Sequence, residues 1–340
     1  MKNKLFLPAL ALVLGFTACN RKDAGPAMQP VLRPVAFGTY VAHTKAASLQ
    51  SDNLTNFGVF AYRTGNESWN PGALPNFMFN QKVEGSLQGG FSYTPLKYWP
   101  SSEGALLSFF AYAPYGTAAN GIVPQTDNTT AGAPKIKYAV PASEEDQIDL
   151  LCASPVYDAT LQQSQGTVHF SFRHKLSRIG FQAALAESSY QGTTIYLNNI
   201  SLTGTYPASG ILDLSEGTWS EVTPGRSRTI VRSFGEGVEG LVLTTSRQSV
   251  QDENGYLMTI PPEGAQDYTL SVTYTLVTED PALSGGKMVC TNVFNKELSL
   301  AIEDGKTYDL CLKVGPTAIE FDGPDVTLWS DGGGEDVMLP

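Results

Sequence analysis

Short runs of alternating or continuous apolar residues follow one another along most of this chain, and they constrain the fold more than any other feature. Examples are 106–113 (LLSFFAYA), 178–185 (RIGFQAAL) and 268–278 (YTLSVTYTLVT), with glycine, proline, asparagine or aspartate between such runs. Runs of this length and pattern are typical of β-strands, and no long window has the 3.6-residue period of an amphipathic helix. The sequence therefore predicts an all-β protein with turns at the short spacing of β-sandwiches.

Composition agrees with that prediction and narrows the possible partners. The 340 residues include 33 glycines, 15 tyrosines and 16 phenylalanines, and only 16% are charged. Abundant aromatics and glycines favour strands joined by many turns. The formal net charge of −11 does not favour nucleic acid or an anionic membrane surface as a partner.

The predicted strands are distributed over the chain from residue 35 to residue 329. A hairpin is also predicted, with its turn at Ser215, Glu216 and Gly217 in the segment SGILDLSEGTWSEV. The strands are predicted at 35–42, 57–63, 77–83, 91–93, 106–113, 135–140, 167–173, 178–185, 194–203, 210–214, 218–222, 256–261, 268–278, 288–294, 297–302, 307–315 and 325–329.

The N-terminus has the pattern of a targeting segment. Lys2 and Lys4 precede an apolar run, 5–16, that is too short to span a bilayer. The small residues before Cys19 resemble a bacterial lipobox, in which the cysteine is lipidated and becomes the first residue of the mature chain. We therefore expect a lipoprotein signal peptide over 1–18, with an ordinary secretory signal as the alternative.

Domain boundaries follow from changes in composition. Residues 19–34 are polar and proline-rich, which predicts a flexible tether. The polar stretch 141–166 predicts a break near 166, so we expect an N-terminal β-sandwich domain over 35–166 and a C-terminal one over 167–340. No later segment has 18 consecutive apolar residues, and we expect no transmembrane helix.

The sequence contains no recognisable catalytic motif. G-x-S-x-G, H-E-x-x-H, G-x-x-x-x-G-K-[ST] and C-x-x-C are all missing from it. Of the three histidines, His43, His169 and His174, the last two alternate to opposite faces of one strand, so they cannot converge on one metal. Because His174 shares a face with Phe170 and Phe172, we expect it to be a core histidine. The expectation is a protein that is not an enzyme and has no metal or cofactor.

Three further features have two interpretations each. The acidic group Glu144, Glu145, Asp146 and Asp149 is either a calcium site or, the preferred interpretation, a solvated turn. Trp69 could stack on a sugar or cover one end of the sandwich. The cysteines besides Cys19 are either buried free thiols, which we expect, or include one cross-strand disulfide between two of them; these cysteines are Cys152, Cys290 and Cys311.

Several segments taken together resemble one family. Besides the lipobox they include FGTYVAHTKAASLQSDNLTNFGVFAY, KYWPSSEGALLSFFAYAPY, DLLCASP, FSFRHKLSRIGF, SLTGTYPASGILDLSEGTWS and GKTYDLCLKV. In this order and spacing they are similar to the fimbrillin family, the lipoprotein precursors of type V pilus subunits in anaerobic Gram-negative bacteria. The resemblance implies two tandem transthyretin-like Greek-key β-sandwich domains and a location at the outer membrane and in the fimbria.

The resemblance also implies a route of assembly. A trypsin-like protease removes the first strand together with the lipid, and a terminal strand of another pilus subunit refills the groove. By position, PVAFGTYVA corresponds to the removable strand, whose inward side chains are Val35, Phe37, Thr39 and Val41. The processing site corresponds to Lys45–Ala46, with lysine where the best-known members have arginine. Lys45 is otherwise a solvated loop residue.

The C-terminus indicates how strongly the chain could donate a strand. The hinge-like SDGGGE is followed only by DVMLP, which is short against a removable strand of about nine residues. We therefore hypothesise a tip or accessory subunit that binds an unidentified host or bacterial surface ligand. A shaft subunit is the alternative if the chain detaches from about residue 317. The alternative class is a surface lipoprotein that binds glycan or host protein without polymerising.

Overall fold

Strands dominate the structure, a computed structural model that describes residues 32–41, 54–102, 104–187, 190–251 and 255–329, without the side chains of Tyr40 and Val41. The helices described are α1 (Leu161–Ser164) and a 3₁₀ turn (Gly237–Glu239). The strands are β1 (Ala36–Val41), β2 (Asn56–Gly65), β3 (Met78–Ser86), β4 (Gly90–Ser92), β5 (Leu106–Ala113), β6 (Ile122–Pro124), β7 (Lys135–Ala139), β8 (Leu151–Ala153), β9 (Val156–Ala159), β10 (Thr167–His174), β11 (Ser177–Leu185), β12 (Thr193–Asp213), β13 (Thr218–Ser233), β14 (Leu241–Val242), β15 (Gln248–Ser249), β16 (Leu257–Thr259), β17 (Ala265–Glu279), β18 (Lys287–Ala301), β19 (Lys306–Val314) and β20 (Ile319–Leu328).

These strands form three sheets, which confirms the predicted all-β class. The first has the order β1-β10-β8-β5-β2-β3-β4, with β9 added beside β5. The second has the order β15-β11-β19-β20, with β16 beside β11. The third has the order β18-β17-β12-β7-β6, with β13 and β14 also paired to β12. All pairs are antiparallel except β1 with β10 and β11 with β19.

The first sheet is buried on both faces at its centre, because its strands carry large apolar side chains at consecutive positions. In β5, Leu107 and Phe109 enter one core and Phe110 and Tyr112 enter another. A continuous apolar run is the pattern expected for such a strand. The core on the first face, here called the N-terminal core, includes Val35, Phe37, Phe57, Val59, Val83, Trp99, Leu107, Phe109, Val168, Phe170 and Phe172.

Two further cores hold the remaining sheets. The C-terminal core lies between the second and third sheets and is built from β11, β12, β17, β19 and parts of β18. The shared core lies between the other face of the first sheet and the part of the third sheet that is formed by β6, β7 and the end of β12. Its members come from both halves of the chain and include Phe60, Tyr62, Phe110, Tyr112, Ile136, Tyr138, Leu150, Leu176, Leu212, Ile260 and Trp329.

The strand β12 connects these cores because it has two sets of partners. Its residues 193–204 pair with β17 in the C-terminal half, whereas 209–213 pair with β7 in the N-terminal half. The sequence predicts two strands in this region, 194–203 and 210–214. The structure has one strand, because irregularities in the register with β13 between Thr205 and Ile211 accommodate Pro207. The predicted hairpin is confirmed by the pairing of Asp213 with Thr218.

Strand pairing places β10 in the first sheet, between β1 and β8. The predicted boundary at 166 assigned this strand to the C-terminal domain, 167–340. The polar stretch before it contains β8, β9 and α1, and both β8 and β9 pair with β5. The change from the first sheet to the second therefore comes after His174. The division into two tandem transthyretin-like domains stays a prediction.

Within the described residues, no helix has the length and apolar composition needed to cross a membrane.

A buried ion pair connects the predicted acidic turn to the third sheet. The Arg232 side chain is fully buried, its Nη2 lies 2.8 Å from Glu144 Oε2, and its Nε donates to the carbonyl of Gly255 at 2.9 Å. Glu145 and Asp146 are exposed, as the predicted solvated turn requires, but Glu144 is half-buried. Alternation of the sequence could not indicate this pairing, because the partners are 88 residues apart.

We expect Glu144→Gln to destabilise the protein by about 1–3 kcal/mol, because it removes the carboxylate that accepts a hydrogen bond from Nη2 of the buried Arg232. Urea denaturation of the purified protein measures the change in the free energy of unfolding. Glu145→Gln is the matched control and should change it by less than about 0.5 kcal/mol, since that side chain is exposed. Equal effects of the two substitutions would mean that the ion pair contributes nothing to stability.

Candidate functional site

The first strand, β1, lies at the edge of the first sheet and pairs with one strand only. It runs parallel to β10, with Ala36 opposite Thr167 and Val41 opposite Phe172. The Ala36 N–H donates to the carbonyl of Gly166 at 2.9 Å, just before that ladder begins. An edge strand can leave a sheet by breaking one ladder, whereas an inner strand must break two.

The residues just before β1 are held on the opposite flank by a second set of hydrogen bonds. The Val35 N–H donates to the Lys97 carbonyl at 2.9 Å, and the Trp99 N–H donates to the Arg33 carbonyl at 2.9 Å. The Tyr93 hydroxyl donates to the carbonyl of Val35 at 2.8 Å. Burial raises the pKa of Tyr93, so this hydroxyl stays protonated and able to donate.

Alternate side chains of this segment enter the N-terminal core, as the sequence predicts. Val35 is 1% exposed, Phe37 6% and Thr39 1%. The backbone of Val41 is part of β1, but its side chain lies outside the described residues. The structure therefore confirms three of the four predicted inward positions.

Phe37 is the central contact of β1. Its ring stacks on Phe170 of the neighbouring strand, with 5.7 Å between centroids and 18° between planes. It also meets three rings from other parts of the first sheet and its loops, and such aromatic pairs add to the energy of burial. These are Phe57 at 6.1 Å, Tyr93 at 5.3 Å and Phe109 at 6.1 Å.

Thr39 is a weak point in an otherwise apolar set of contacts. Its Oγ1 is buried, and no described residue forms a hydrogen bond with it. A hydroxyl removed from water without a partner costs about 1–3 kcal/mol by mutational data. β1 thus binds its groove less tightly than a strand with an apolar residue at that position would.

Gly38 lies on the face of β1 that is turned away from the core. The space beside it on that face is occupied by the side chain of His169 on β10. A Cβ built on Gly38 would lie 2.6 Å from Nδ1 of His169, the residue opposite it in the parallel ladder. A larger residue here would displace the exposed His169 side chain. The lack of a side chain at Gly38 leaves room for the His169 ring beside the middle of β1.

Removal of β1 would uncover a groove lined by aromatic side chains. Val35 and Phe37 each contribute about 1.5–3 kcal/mol by burial. The alternate residues of β10 that face the same core, Val168, Phe170 and Phe172, are at most 1% exposed. Without β1 these side chains would meet water beside an unpaired strand edge, and an extended peptide that restores both contacts would bind there.

Other predicted site residues lie outside the described residues. They are Cys19, the expected lipidation site, and Lys45 and Ala46, the expected processing site. The segments 1–18 and most of the tether 19–34 lie outside them as well. For these positions the sequence interpretation stays a prediction.

His174 is a core histidine, as predicted. Its Nδ1 lies 3.0 Å from Oδ1 of Asp149, and both side chains are buried. The ring of Trp329 stacks on the imidazole with 4.3 Å between centroids. The indole of Trp329 covers the pair of His174 and Asp149. The three side chains therefore form a structural contact between β10 and the residue that follows β20.

The remaining polar and aromatic candidates have structural roles as well. In the described part of the chain, no group of three or more histidine, cysteine, aspartate or glutamate side chains could hold a metal ion. Trp69 packs against Tyr62, Phe110 and Tyr157 with centroids 5.0–5.9 Å apart. It therefore covers the shared core, which is the second of its two predicted roles.

The three described cysteines are free thiols. Cys152 and Cys311 are buried as predicted, and burial raises the pKa of Cys152 to about 12. The prediction that Cys290 is buried is wrong. It is exposed because β18 is the last strand of the third sheet and its first half extends beyond the C-terminal core.

Comparison with known proteins gives one family match. The family model described as fimbrillin-like matches residues 44–329. The fimbrium subunit Fim1C of Phocaeicola vulgatus is 24% identical over 384 aligned positions, which include all of both chains.

Solved structures have the same fold. A fimbrial protein from Bacteroides vulgatus superposes with a TM-score of 0.71 at 22% identity, over 88% of this chain and all of the other. A candidate cell adhesion protein from Bacteroides uniformis superposes with a TM-score of 0.51 at 16% identity, over 89% of this chain and all of the other. At these identities the superpositions establish the fold.

The unpaired Thr39 hydroxyl leads to a prediction about stability. We expect Thr39→Val to stabilise the protein by about 1–2 kcal/mol, because valine has nearly the same shape and removes the buried hydroxyl. Urea denaturation provides the free energy of unfolding. The control is Thr327→Val on β20, where the side chain is exposed and the change should stay below about 0.5 kcal/mol. A loss of stability at position 39 would indicate that the hydroxyl has a hydrogen-bond partner.

Proposed function

Because this chain belongs to the fimbrillin-like family, we propose that it is a structural and adhesive subunit of a cell-surface fimbria that assembles by donor-strand exchange. In this proposal the precursor is anchored to the outer membrane through lipid on Cys19. A protease cuts after Lys45, and β1 leaves together with the anchor. A strand from another subunit then occupies the groove.

The placement of β1 carries the proposal. β1 is the first strand among the described residues, it lies at a sheet edge, and its inward side chains Val35 and Phe37 belong to the N-terminal core. An internal strand could not leave without breaking two ladders, and an edge strand with polar contacts would leave no binding site behind. β1 satisfies both requirements of strand exchange.

Energetics support the same conclusion. Burial of Val35 and Phe37 alone contributes about 3–6 kcal/mol, against a total stability of about 5–15 kcal/mol for a typical domain. A processed subunit is therefore strongly driven to bind a replacement strand. The unpaired hydroxyl of Thr39 favours the exchange further, because an apolar residue at that position of the donor would improve on β1.

The position of Lys45 is consistent with removal of β1 alone. It lies four residues after Val41, the end of β1, and before Leu54, where the described chain resumes. The family match begins at residue 44, after β1. Arg33, the other basic residue nearby, precedes β1 and is followed by Pro34, so cutting there would leave the strand attached.

The two proposed roles differ in whether β20 leaves its sheet. In the tip or accessory role β20 stays in place, and the subunit accepts a strand without donating one. The shaft role requires β20 to detach, and its outer half favours that, since 325–328 are exposed. Trp329 opposes detachment, because its ring stacks on His174 and its backbone N–H donates to the Gly305 carbonyl at 2.6 Å.

We expect the protein on the native cell surface to begin at Ala46, as measured by intact mass and N-terminal sequencing. A chain that begins at lipidated Cys19 would mean that β1 stays in place, which would overturn strand exchange and favour a non-polymerising surface lipoprotein. Lys45→Gln should retain the lipidated form. The matched control Arg33→Gln should be processed like the unaltered protein.

Removal of residues 331–340 separates the two roles. In a tip or accessory subunit, we expect incorporation into isolated fimbriae to be unaffected, as measured by immunoblotting. In a shaft subunit the same truncation abolishes polymerisation. Glu335→Gln with Asp336→Asn keeps the length and the apolar residues of the tail, and controls for a nonspecific effect of changing its charge.

A further inference from the structure

The strand β18 is a long sheet edge without the features that normally prevent edges from pairing. It pairs with β17 along all its length, from Lys287 opposite Glu279 to Ala301 opposite Ala265, with no register shift. On its other side no described strand pairs with it. Alternate N–H and C=O groups of such a strand point outward and can pair with another chain.

Natural edges are usually protected by short length, proline, bulges or charge. Apart from β1, the other edges at the ends of the described sheets have such protection: β4, β6 and β15 have two or three residues, β13 contains Pro224 and an irregular register, and β20 contains Pro324, a bulge and two aspartates. In β18, residues 288–295 (MVCTNVFN) contain no charge, proline or glycine. This half of the strand is unprotected.

The unprotected half is also apolar and exposed. Met288 is 49% exposed, Val289 50% and Val293 62%, and Cys290 is exposed as well. Phe294 is only partly buried against the C-terminal core. Exposed apolar side chains on both faces of an unpaired edge mark an interaction surface for an extended strand.

The charges at the two ends of this segment identify the occupant. Lys287 and Glu297 are the charged residues that point to the outer face, since positions of equal parity share a face and the inward residues Leu298 and Leu300 are even-numbered. In an antiparallel pair of two β18 strands centred on Asn292, each Lys287 lies opposite Glu297 of the other copy. Opposite charges placed directly across a strand pair stabilise it.

The same register complements the inner face. Cys290 then lies opposite Phe294 of the other copy, and Met288 lies opposite the aliphatic part of Lys296. Both contacts cover apolar surface that a single copy leaves exposed. The pairing is isologous, because the same strand contributes on both sides.

We propose that β18 is a self-association surface through which two copies of this chain pair edge to edge, in an antiparallel register centred on Asn292. The third sheets of the two copies become one continuous sheet. An interface of this kind buries less surface than a stable dimer requires, so it is weak between free subunits. Copies arrayed along a fimbria would strengthen it through multivalency. The surface lies on a different sheet from β1, so the pairing does not depend on removal of that strand.

Disulfide trapping tests the register. The full chain in mild detergent, with Cys290→Ser to remove the exposed thiol, is oxidised after introduction of Asn292→Cys. We expect a covalent dimer, because position 292 lies opposite itself, within the distance that a disulfide spans. Ser299→Cys is the matched exposed control on the same strand and should remain monomeric. Equal dimer yields, or none at position 292, would overturn the proposed register.

Charge reversal tests independently whether the strand that pairs with β18 is β18 of a second copy. We expect Lys287→Glu or Glu297→Lys alone to weaken self-association by about tenfold, measured by sedimentation velocity, because each places like charges opposite one another twice. The double variant should associate like the unaltered protein, and a mixture of the two single variants should form mixed dimers. Lys137→Glu, an exposed lysine on β7, should have no effect.

If the double variant did not recover self-association, or if neither single variant weakened it, β18 would not pair with β18 of a second copy. Binding of a different protein to an otherwise monomeric chain would have the same meaning. Neither result bears on strand exchange at β1, which the N-terminus of the native protein tests separately.

Discussion

The burial of both faces of the first sheet is the constraint on which the rest of the structure depends. Strands β2 and β5 supply side chains to the N-terminal core on one face and to the shared core on the other. β12 contributes Leu212 to the shared core, because it continues past the C-terminal half and pairs with β7. A single long strand therefore connects the two halves, and the shared core packs against the face of the first sheet that is opposite the N-terminal core. The inner strands β2 and β5 are thus packed on both faces, whereas β1 contacts the N-terminal core only.

The sequence predicted most of the strands, since strand type follows from local alternation. The alternation failed where long strands contain a polar or irregular residue. Pro207 lies between two predicted strands that are the single strand β12, and Asn295 and Lys296 lie between two that are the single strand β18. In the structure an irregular register accommodates the first, and the edge position of β18 leaves the second pair exposed. The three-residue strand β8 was missed, because it lies in a mainly polar stretch and so few positions seldom show a period.

The candidate site could be predicted in part for the same reason. Val35, Phe37 and Thr39 were identified because alternation determines which side chains share a face. The unpaired hydroxyl of Thr39 and the close approach of Gly38 to His169 could not be identified, because both depend on residues far along the chain. The exposure of Cys290 was mispredicted for a related reason: an apolar run does not indicate whether a strand is internal or at an edge.

The two parallel pairs have a consequence for the architecture of a polymer. β11 is paired to β19 along one side just as β1 is paired to β10, but β11 also has β15 and β16 on its other side. β11 is therefore held by strands on both sides, whereas β1 has one strand neighbour. Under the strand exchange proposed above, a subunit that exchanges β1 alone has an acceptor valence of one. Chains that grew in that way would be linear and directional, and branching would require a contact of a different kind.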